Sequence, residues 1–181
     1  MSKSLIFLLG RSGAGKTTTL DMLIETKGFS PLVSYTTRKK RENEKEGYDY
    51  FFISVKEFNA MNFKAKFVVN SKWKYGVSFD YENIQDNLVF QAISLNYLKS
   101  VAEEAISAGY EVKIVFLDID KEERIKRLRE RGETEESISK RIEIEKNEGD
   151  YDLSIFKDHN LQKINTSKMS VKEVVDKIVG G

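Results

Sequence analysis

A glycine-rich run near the start of the chain constrains the fold more than any other feature of the sequence. It occupies residues 10–17 and reads Gly-Arg-Ser-Gly-Ala-Gly-Lys-Thr. The apolar residues 5–9 before it are typical of a buried strand, and a helical pattern follows over residues 16–27. Glycines at this spacing let successive backbone N–H groups converge on one anion without a Cβ in the way. The run therefore predicts a phosphate-binding loop between a strand and a helix, called the phosphate loop below.

Two side chains of the phosphate loop suit a bound nucleoside triphosphate. Lys16 is placed to reach the β and γ phosphates, and the hydroxyl of Thr17 is placed to take a Mg²⁺ coordination position. The helix that follows adds unpaired N–H groups and the positive end of its dipole. An ordinary glycine-rich turn would leave Lys16 and Thr17 unexplained. The residues expected to bind the nucleoside triphosphate are Gly10, Ser12, Gly13, Ala14, Gly15, Lys16, Thr17 and Thr18.

Composition excludes several other classes of protein. A chain of 181 residues is expected to form one compact unit. Its charged residues nearly cancel to +1, which predicts no nucleic-acid partner. The absence of cysteine excludes disulfides and zinc-thiolate sites, and a single histidine cannot build a metal cluster. No apolar run approaches the roughly 18 residues of a membrane span, so we expect no membrane partner and a cytoplasmic location.

Strands and helices alternate along the rest of the chain. Strands are predicted at 5–9, 32–34, 48–53, 66–69, 73–77, 88–93, 112–117 and 161–165. Helices are predicted at about 16–27, 55–63, 95–108, 121–131, 133–147 and 170–179. This alternation, with the phosphate loop first, indicates an α/β fold with a parallel sheet covered on both faces. The short aromatic strands between residues 48 and 77 indicate a small sheet inserted into that core.

A second group of polar residues follows the first helix. Arg38 and Arg41 lie in one segment with the hydroxyl groups of Ser34 and Tyr50. Guanidinium groups bind phosphate oxygens with two parallel hydrogen bonds, so this segment suits a second phosphate group. From composition alone, the two arginines belong equally well to a solvated basic loop.

Together with the phosphate loop, this segment resembles the guanylate kinase family of nucleoside monophosphate kinases. The family's motif for the phosphate of the acceptor GMP reads Ser-x-Thr-Thr-Arg-x-x-Arg-x-x-Glu, followed by Asp-Tyr-x-Phe. The matching residues are Ser34, Thr36, Thr37, Arg38, Arg41, Glu44, Asp49, Tyr50 and Phe52. The family's Tyr-Gly pair is similar to Tyr75-Gly76, and its lid pattern is similar to Arg127-Leu128, Arg131-Gly132 and residues 134–141.

The resemblance implies a three-layer α/β/α P-loop kinase core with a parallel sheet, an inserted small mixed β subdomain that binds the nucleoside monophosphate, and a helical lid. It implies one domain, with a core at 1–33 and 82–181, the insert at about 34–81 and the lid at about 131–150. The implied reaction transfers the γ-phosphoryl group of ATP to a nucleoside monophosphate, by default GMP, with Mg²⁺ held at Thr17. The expected partners are small-molecule nucleotides, and the chain is expected to be a monomer or a homodimer.

The resemblance also implies roles for individual residues. The charges expected to assist catalysis are those of Lys16, Arg38, Arg131 and Arg141. The residues expected to bind the acceptor phosphate are Ser34, Arg38, Arg41, Glu44, Tyr50 and Tyr75. Arg124, Arg127 and Arg131 share one helix face, so one or more of them belongs either to the lid site or to a solvated surface.

The sequence departs from the family where the base should be read. Val69 stands where the family has its guanine-binding Glu, and Val77 stands where a Ser or Thr contacts the base. Gln91 and Ile93 replace the two aspartates of the family's Leu-Asp-Ile-Asp strand, which assist the metal and the base. A guanine presents N–H donors that require an acceptor such as a carboxylate, so the identity of the base stays open. The candidate base pocket comprises Val69, Asn70, Val77 and Gln91.

The sequence Leu117-Asp118-Ile119-Asp120 spells the missing motif but lies one strand too late. We expect Asp118 and Asp120 to end that strand and to favour the start of the next helix.

Three alternatives to a GMP kinase follow. The first is a related kinase of another nucleotide or of a phosphorylated metabolite. The second is a non-catalytic protein-binding module, although the complete Gly15-Lys16-Thr17 favours an enzyme. The third, a regulatory GTPase, lacks support because the chain has no Asp-x-x-Gly or Asn-Lys-x-Asp motif.

Overall fold

The computed structural model describes residues 3–42, 44–63, 65–69, 72–78, 87–91, 95–147 and 152–180. The strands are β1 Lys3–Gly10, β2 Ser30–Pro31, β3 Tyr35–Thr36, β4 Phe51–Phe52, β5 Ala65–Val69, β6 Trp73–Val77, β7 Asn87–Gln91, β8 Tyr110–Asp118 and β9 Asn160–Asn165. The helices are α1 Lys16–Lys27, α2 Val55–Ala60, α3 Leu95–Ser107, α4 Lys121–Glu130, α5 Glu135–Asn147 and α6 Val171–Gly180. A short 3₁₀ helix spans Leu153–Phe156.

Five parallel strands form the main sheet, in the order β2-β7-β1-β8-β9. The apolar strand β1 lies at the centre, where Leu5 pairs with Leu88 of β7 and with Val112 of β8. Because β1 is paired along both edges, its backbone groups are satisfied inside the sheet. The predicted parallel sheet is confirmed.

Side chains of β1 alternate between two hydrophobic layers. Phe7 and Leu9 pack in one cluster with Leu98 of α3. Leu8 packs in the other cluster with Leu23 of α1, and Val175 of α6 belongs to the same cluster. A sheet buried on both faces requires apolar residues at successive positions, which explains the continuous apolar run of β1. The three-layer α/β/α arrangement is confirmed.

A second, mixed sheet is built from strands between Tyr35 and Val77, in the order β4-β3-β6-β5. Its β3–β4 pair is parallel, and its other two pairs are antiparallel. Phe67 of β5 contacts Tyr97 of α3, with 4.2 Å between the ring centroids. The small mixed sheet is therefore confirmed and packs against a core helix. The exact borders of the insert and the lid stay a prediction.

Several predicted elements differ from the structure in their bounds. The strand predicted at 32–34 is wrong: the edge strand is Ser30–Pro31, and Leu32 only donates its N–H to the carbonyl of Val89. Pro31 is tolerated because an edge strand can leave one donor position unused. The helix predicted at 55–63 ends at Ala60, and the helix predicted from 133 begins at Glu135.

The strand predicted at 48–53 is confined to Phe51–Phe52. Gly47 precedes it with a φ of 71°, and its N–H donates to the carbonyl of Tyr50 to close a turn. Strand β7 is described as far as Gln91, so the predicted extension through Ile93 lies outside the described residues. Within the described part of the chain, no helix is long and apolar enough to cross a bilayer.

Gly10 lies where β1 leaves the sheet and the phosphate loop begins. Its φ is 142°, and a Cβ built on it would lie 2.2 Å from the carbonyl oxygen of Leu117 in β8. No side chain fits this contact without moving one of two core strands.

We predict that Gly10→Ala lowers the free energy of unfolding by about 3 kcal/mol, because steric overlap adds to the strain of a positive φ. Gly28→Ala is the matched control, since Gly28 has a φ of 71° but nothing within 4 Å of a built Cβ. Gly28→Ala is expected to lower the free energy of unfolding by about 1 kcal/mol. Equal costs in urea unfolding would contradict the close packing at Gly10.

Candidate active site

Two cavities meet at the edge of the main sheet where β1 and β7 end. The larger, of about 710 Å³, is lined by residues 12–19 of the phosphate loop and helix α1. The smaller, of about 110 Å³, includes Ser34 and Tyr50. Thr17 and Gln91 line both cavities. Ligands of parallel α/β sheets bind outside the carboxyl ends of the strands, and this position fits that rule.

The phosphate loop is shaped by glycines with positive φ. Gly13 has a φ of 86° and Gly15 has a φ of 92°, immediately before helix α1 begins at Lys16. A backbone in which right-handed and left-handed residues alternate forms a concave nest of N–H groups, and such nests bind anions. All of the predicted ATP-binding residues except Gly10 line the larger cavity, while Gly10 packs on Leu117.

Lys16 folds back over the loop that precedes it. Its Nζ donates to the carbonyl oxygen of Gly10 at 2.7 Å and to that of Arg11 at 3.1 Å. The ammonium group is therefore held at the mouth of the nest. Thr17 next to it donates its hydroxyl to Oε1 of Gln91 at 3.2 Å. This bond links α1 to the end of β7, between the two cavities.

Arginines of α4 and α5 approach the phosphate loop from the predicted lid. Arg127, Arg131 and Arg141 all line the larger cavity. Arg141 donates to the hydroxyl of Ser12 at 3.2 Å and pairs with Glu133 at 3.0 Å. The structure thus brings both predicted lid arginines, Arg131 and Arg141, to the phosphate loop.

Arg127 is held by neighbouring protein groups. Its Nε lies 3.0 Å from a carboxylate oxygen of Glu123, and its Nη2 donates to the carbonyl oxygen of Thr166 at 2.8 Å. The hydroxyl of Thr166 lies 3.1 Å from the carbonyl oxygen of Ala14 and 3.1 Å from that of Asp118, within hydrogen-bond distance of both. Arg127 is therefore part of the wall of the larger cavity and is fixed there by Glu123 and Thr166.

Sequence reasoning assigned no role to the far wall of the larger cavity. That wall lies beyond β9 and around the start of α6, and it consists of Thr166, Met169, Val171 and Val174. The signal that could have found it is the position of residues 166–169 after a parallel strand, at the same edge as the phosphate loop.

Arg38 is the centre of the second predicted phosphate site. It is 7% exposed, and its Nη1 and Nη2 donate to both carboxylate oxygens of Glu44 at 3.0 and 2.6 Å. Nε donates to the hydroxyl of Tyr75 at 3.2 Å, and Nη1 also donates to the carbonyl of Lys39 at 2.8 Å. A guanidinium group has five N–H donors. These contacts use the single N–H of Nε, both N–H groups of Nη1 and one of the two N–H groups of Nη2. The second N–H of Nη2 takes part in none of them.

Tyrosines connect Arg38 to the smaller cavity. The Arg38 guanidinium lies 5.5 Å from the ring centre of Tyr50, which lines the cavity with Ser34. Burial raises the pKa of Tyr50 to about 12, so its hydroxyl stays protonated and can donate a hydrogen bond. Arg41 is exposed; its backbone N–H donates to the carboxylate of Glu44, and its carbonyl accepts from the N–H of Glu44.

Tyr48 joins the inserted segment to the first helix of the core. It lines the smaller cavity and donates its hydroxyl to the carboxylate of Asp21 in α1. This hydrogen bond is the main cause that raises the pKa of Tyr48 to about 12. Asp21 lies one helical turn after Thr17, so the contact holds the insert over the N-terminal part of α1.

The structure leaves most of the predicted base pocket untested. Gln91 lines both cavities, but Val77 is fully buried in the core cluster that contains Tyr97. The backbone of Val69 pairs with Trp73, and Asn70 lies outside the described residues. The grouping of these four residues around a base stays a prediction.

Asp118 and Asp120 lie where the sequence places them. Asp118 ends β8, and Asp120 is the residue before α4. The carboxylate of Asp120 accepts a hydrogen bond from the side-chain amide of Asn165 at 2.9 Å. The first turn of α4, which follows Asp120, carries Glu122 and Glu123. Negative charges at this position are favoured by the positive end of the helix dipole.

Fold and site together define an α/β protein with a glycine-rich loop and a cavity at the N-terminus of its first helix, a position that suits nucleotide phosphates. A family model described as guanylate kinase matches residues 2–177. The chain is 32% identical over 170 residues to a guanylate kinase of Fusobacterium nucleatum, covering 82% of this chain and 83% of the relative. It is 32% identical over 184 residues to that of Prochlorococcus marinus, covering 94% and 96% of the two chains.

A similar solved structure is the guanylate kinase from Anaplasma phagocytophilum, with a TM-score of 0.63 and 21% identity over 99% of this chain and 85% of the other. That likeness supports the fold. The chain belongs to the guanylate kinase family and is an ATP-dependent phosphotransferase of the nucleoside monophosphate kinase class.

The Arg38–Glu44 pair predicts a specific pH dependence. Hydrogen bonding to Arg38 lowers the pKa of Glu44 below its ordinary value of 4.5. The pair therefore stabilises the fold fully above pH 4.5, and this contribution is lost as the pH falls through the lower folded-state pKa. We expect Glu44→Gln to cost about 2 kcal/mol at pH 7, with the difference from the wild type shrinking below pH 4.5. Urea unfolding from pH 7 to about 3 measures it, and a constant difference would contradict the assignment.

Proposed function

We propose that this chain transfers the γ-phosphoryl group of ATP to a nucleoside monophosphate, with GMP as the first candidate acceptor. One observation carries the proposal: the cavity of the phosphate loop and the smaller cavity of the insert share Thr17 and Gln91. A donor phosphate in the first cavity and an acceptor phosphate in the second would therefore face each other across these two residues. Phosphoryl transfer needs this in-line placement more than it needs a covalent nucleophile.

On the donor side, the N–H groups of the phosphate loop would bind the triphosphate, and Lys16 would move from the carbonyl oxygens of Gly10 and Arg11 to the β and γ phosphates. The apolar side chains of Met169 and Val171 offer a wall for the adenine ring in the same cavity.

The residues present fit Mg²⁺ as a cofactor. Magnesium prefers oxygen ligands and usually keeps several waters beside substrate phosphates. Thr17 offers a hydroxyl oxygen and Gln91 an amide oxygen in hydrogen-bond contact with it. No cluster of three acidic, histidine or cysteine residues that could hold a metal occurs in the described residues, so ATP itself would supply most of the negative charge. Held at Thr17, Mg²⁺ would neutralise negative charge on the phosphates of ATP during the transfer.

On the acceptor side, Ser34 and Tyr50 line the smaller cavity. The protonated hydroxyl of Tyr50 would donate to the acceptor phosphate, and Arg38 would contribute its remaining N–H and its positive charge. Glu44 and Tyr75 would hold the Arg38 guanidinium in place. Arg41 lies exposed at the edge of this group.

Positive charges from both sides would stabilise the transition state, in which charge spreads over the transferred group. The groups proposed for this are Lys16, Arg38, Arg131 and Arg141. An arginine in such a position contributes a factor of about 10³ or more in rate. Arg131 and Arg141 line the donor cavity from α4 and α5, which supports their role in a lid that closes over the phosphates.

The choice of base is the finer part of the proposal. The relatives are named guanylate kinases, which supports GMP. Val69 and Gln91 in place of carboxylates support a second candidate, namely a kinase of another nucleotide or of a phosphorylated metabolite. We further propose that the chain forms one domain with the predicted insert and lid. We propose that it is a monomer or a homodimer, that it is cytoplasmic, and that it has no nucleic-acid partner.

A coupled ADP-release assay with GMP, dGMP, AMP, CMP, UMP and dTMP tests the function. We expect turnover with at least one acceptor, and Lys16→Ala should reduce it by about 10³-fold or more because the β and γ phosphates lose their cation. Circular dichroism of the variant checks that its fold is kept. Near-normal turnover of Lys16→Ala would overturn the donor site. No turnover with any acceptor, together with tight peptide binding, would show a binding module instead.

Val69→Glu tests the base pocket. The added carboxylate should raise kcat/KM for GMP relative to the other acceptors by about tenfold, because it pairs with the N–H donors of guanine. Val68→Glu is the matched control, since Val68 is the preceding residue of β5 and is 57% exposed. An unchanged acceptor preference in Val69→Glu would show that the base is read elsewhere.

A further inference from the structure

Arg124 of α4 is buried directly beneath the phosphate loop. Only 4% of this residue is exposed, so the solvated alternative for this arginine is wrong. Buried guanidinium groups are costly unless they are hydrogen-bonded, so the position of Arg124 is set by the groups it contacts. Arg124 is not among the residues that line the larger cavity. Its guanidinium contacts the back of the loop from outside that cavity.

The contact with the loop is specific. Nε of Arg124 donates to the carbonyl oxygen of Ser12 at 3.0 Å. A Cβ built on Gly13 would lie 3.4 Å from Cγ of Arg124, so the side-chain stem packs against the backbone of Gly13. The guanidinium and the stem thus touch two consecutive residues of the loop, and Ser12 is 112 positions from Arg124 in sequence.

This hydrogen bond determines which way a peptide group faces. The C=O of Ser12 and the N–H of Gly13 belong to the same planar trans peptide, so they point in opposite directions. When Arg124 holds the oxygen of Ser12 behind the loop, the N–H of Gly13 is turned toward the larger cavity that Gly13 lines. The reverse orientation would present a carbonyl oxygen to the cavity, where it would repel a phosphate.

Other carbonyl groups of the loop are also held by side chains. Lys16 donates to the carbonyls of Gly10 and Arg11, and the hydroxyl of Thr166 lies within hydrogen-bond distance of that of Ala14. The bonds of Lys16 would be given up when it turns to a nucleotide. The bond from Arg124 can persist with the nucleotide bound, because it comes from outside the cavity.

Ser12 also connects Arg124 to the predicted lid. Its carbonyl accepts from Arg124, while its hydroxyl accepts from Arg141 of α5 at 3.2 Å. Helix α4 carries Arg124 and leads through Arg131 toward α5. Ser12 is thereby held by Arg124 of α4 on the side away from the cavity and contacted by Arg141 of α5 on the cavity side.

We propose that Arg124 is a positioning residue that holds the phosphate loop in its anion-binding form and so sets the affinity for the donor triphosphate. This inference rests on the proposed donor role of the loop. Arg124 acts through Ser12 and Gly13 and does not touch the substrate.

Two substitutions separate the hydrogen bond from the charge. Arg124→Lys keeps the positive charge but has a methylene group at the position of Nε. Arg124→Met keeps the length of the stem and loses both the donor and the charge. Arg129→Met is the matched control on the same helix, because Arg129 is 58% exposed and pairs with Glu135 at the surface.

Isothermal titration of the full chain with ATP in the presence of Mg²⁺, without acceptor, measures the affinity directly. We expect Arg124→Lys to raise the Kd by about tenfold and Arg124→Met by at least as much, because the carbonyl of Ser12 loses the hydrogen bond from Nε. Arg129→Met should stay within about twofold of the wild type. In steady-state assays, the KM for ATP should rise in the Arg124 variants while the KM for the acceptor stays within about twofold.

A wild-type Kd for ATP in Arg124→Lys would overturn the inference. So would a loss of ATP affinity that is matched by an equal rise in the acceptor KM and by a lower unfolding temperature without nucleotide, because that pattern indicates general loosening. If Arg124→Met does not fold, Arg124→Lys decides alone. Failure of the wild type to bind ATP would instead contradict the proposed function.

Discussion

The close contact between the backbone of Gly10 and β8 is the constraint on which the rest of the site depends. It lets the central strand β1 run to the edge of the sheet between β7 and β8 before the chain turns into the phosphate loop. The end of β7 then places Gln91 beside Thr17, and the end of β8 leads to α4 beneath the loop. The two cavities therefore share an edge because three parallel strands end together.

The two sides of the proposed site hold their charges differently. On the acceptor side, Arg38 is buried and bonded to both oxygens of Glu44, so its guanidinium is preorganised but has little remaining hydrogen-bonding capacity. On the donor side, Arg131 and Arg141 are exposed and reach the cavity from α4 and α5. Preorganised charge lowers the cost of transition-state stabilisation, and exposed charge permits closure after binding. We propose that the enzyme uses both.

Local signals account for what the sequence predicts well. Helix α1 has the predicted bounds because the phosphate loop starts it and Gly28, with a positive φ, ends it. The edge strand is predicted at 32–34 but lies at Ser30–Pro31, because a sheet edge tolerates proline within a strand and the local pattern does not show which residues pair. Helical periodicity grouped Arg124 with its neighbours, but it carries no information on what a helix face packs against. The predicted base pocket depends on the tertiary placement of residues from three separate segments, which a single sequence does not specify.

The central claim is that the phosphate loop and the cavity around Tyr50 form one continuous two-phosphate site. Titration with adenosine 5′-pentaphosphate, compared with ATP, tests this without any assumption about the acceptor base. The longer phosphate chain should bind at least about tenfold more tightly because its end reaches the second cavity. Tyr50→Phe should reduce that gain several-fold and leave the affinity for ATP unchanged. Equal affinities for the two compounds, or an undiminished gain in Tyr50→Phe, would contradict the account.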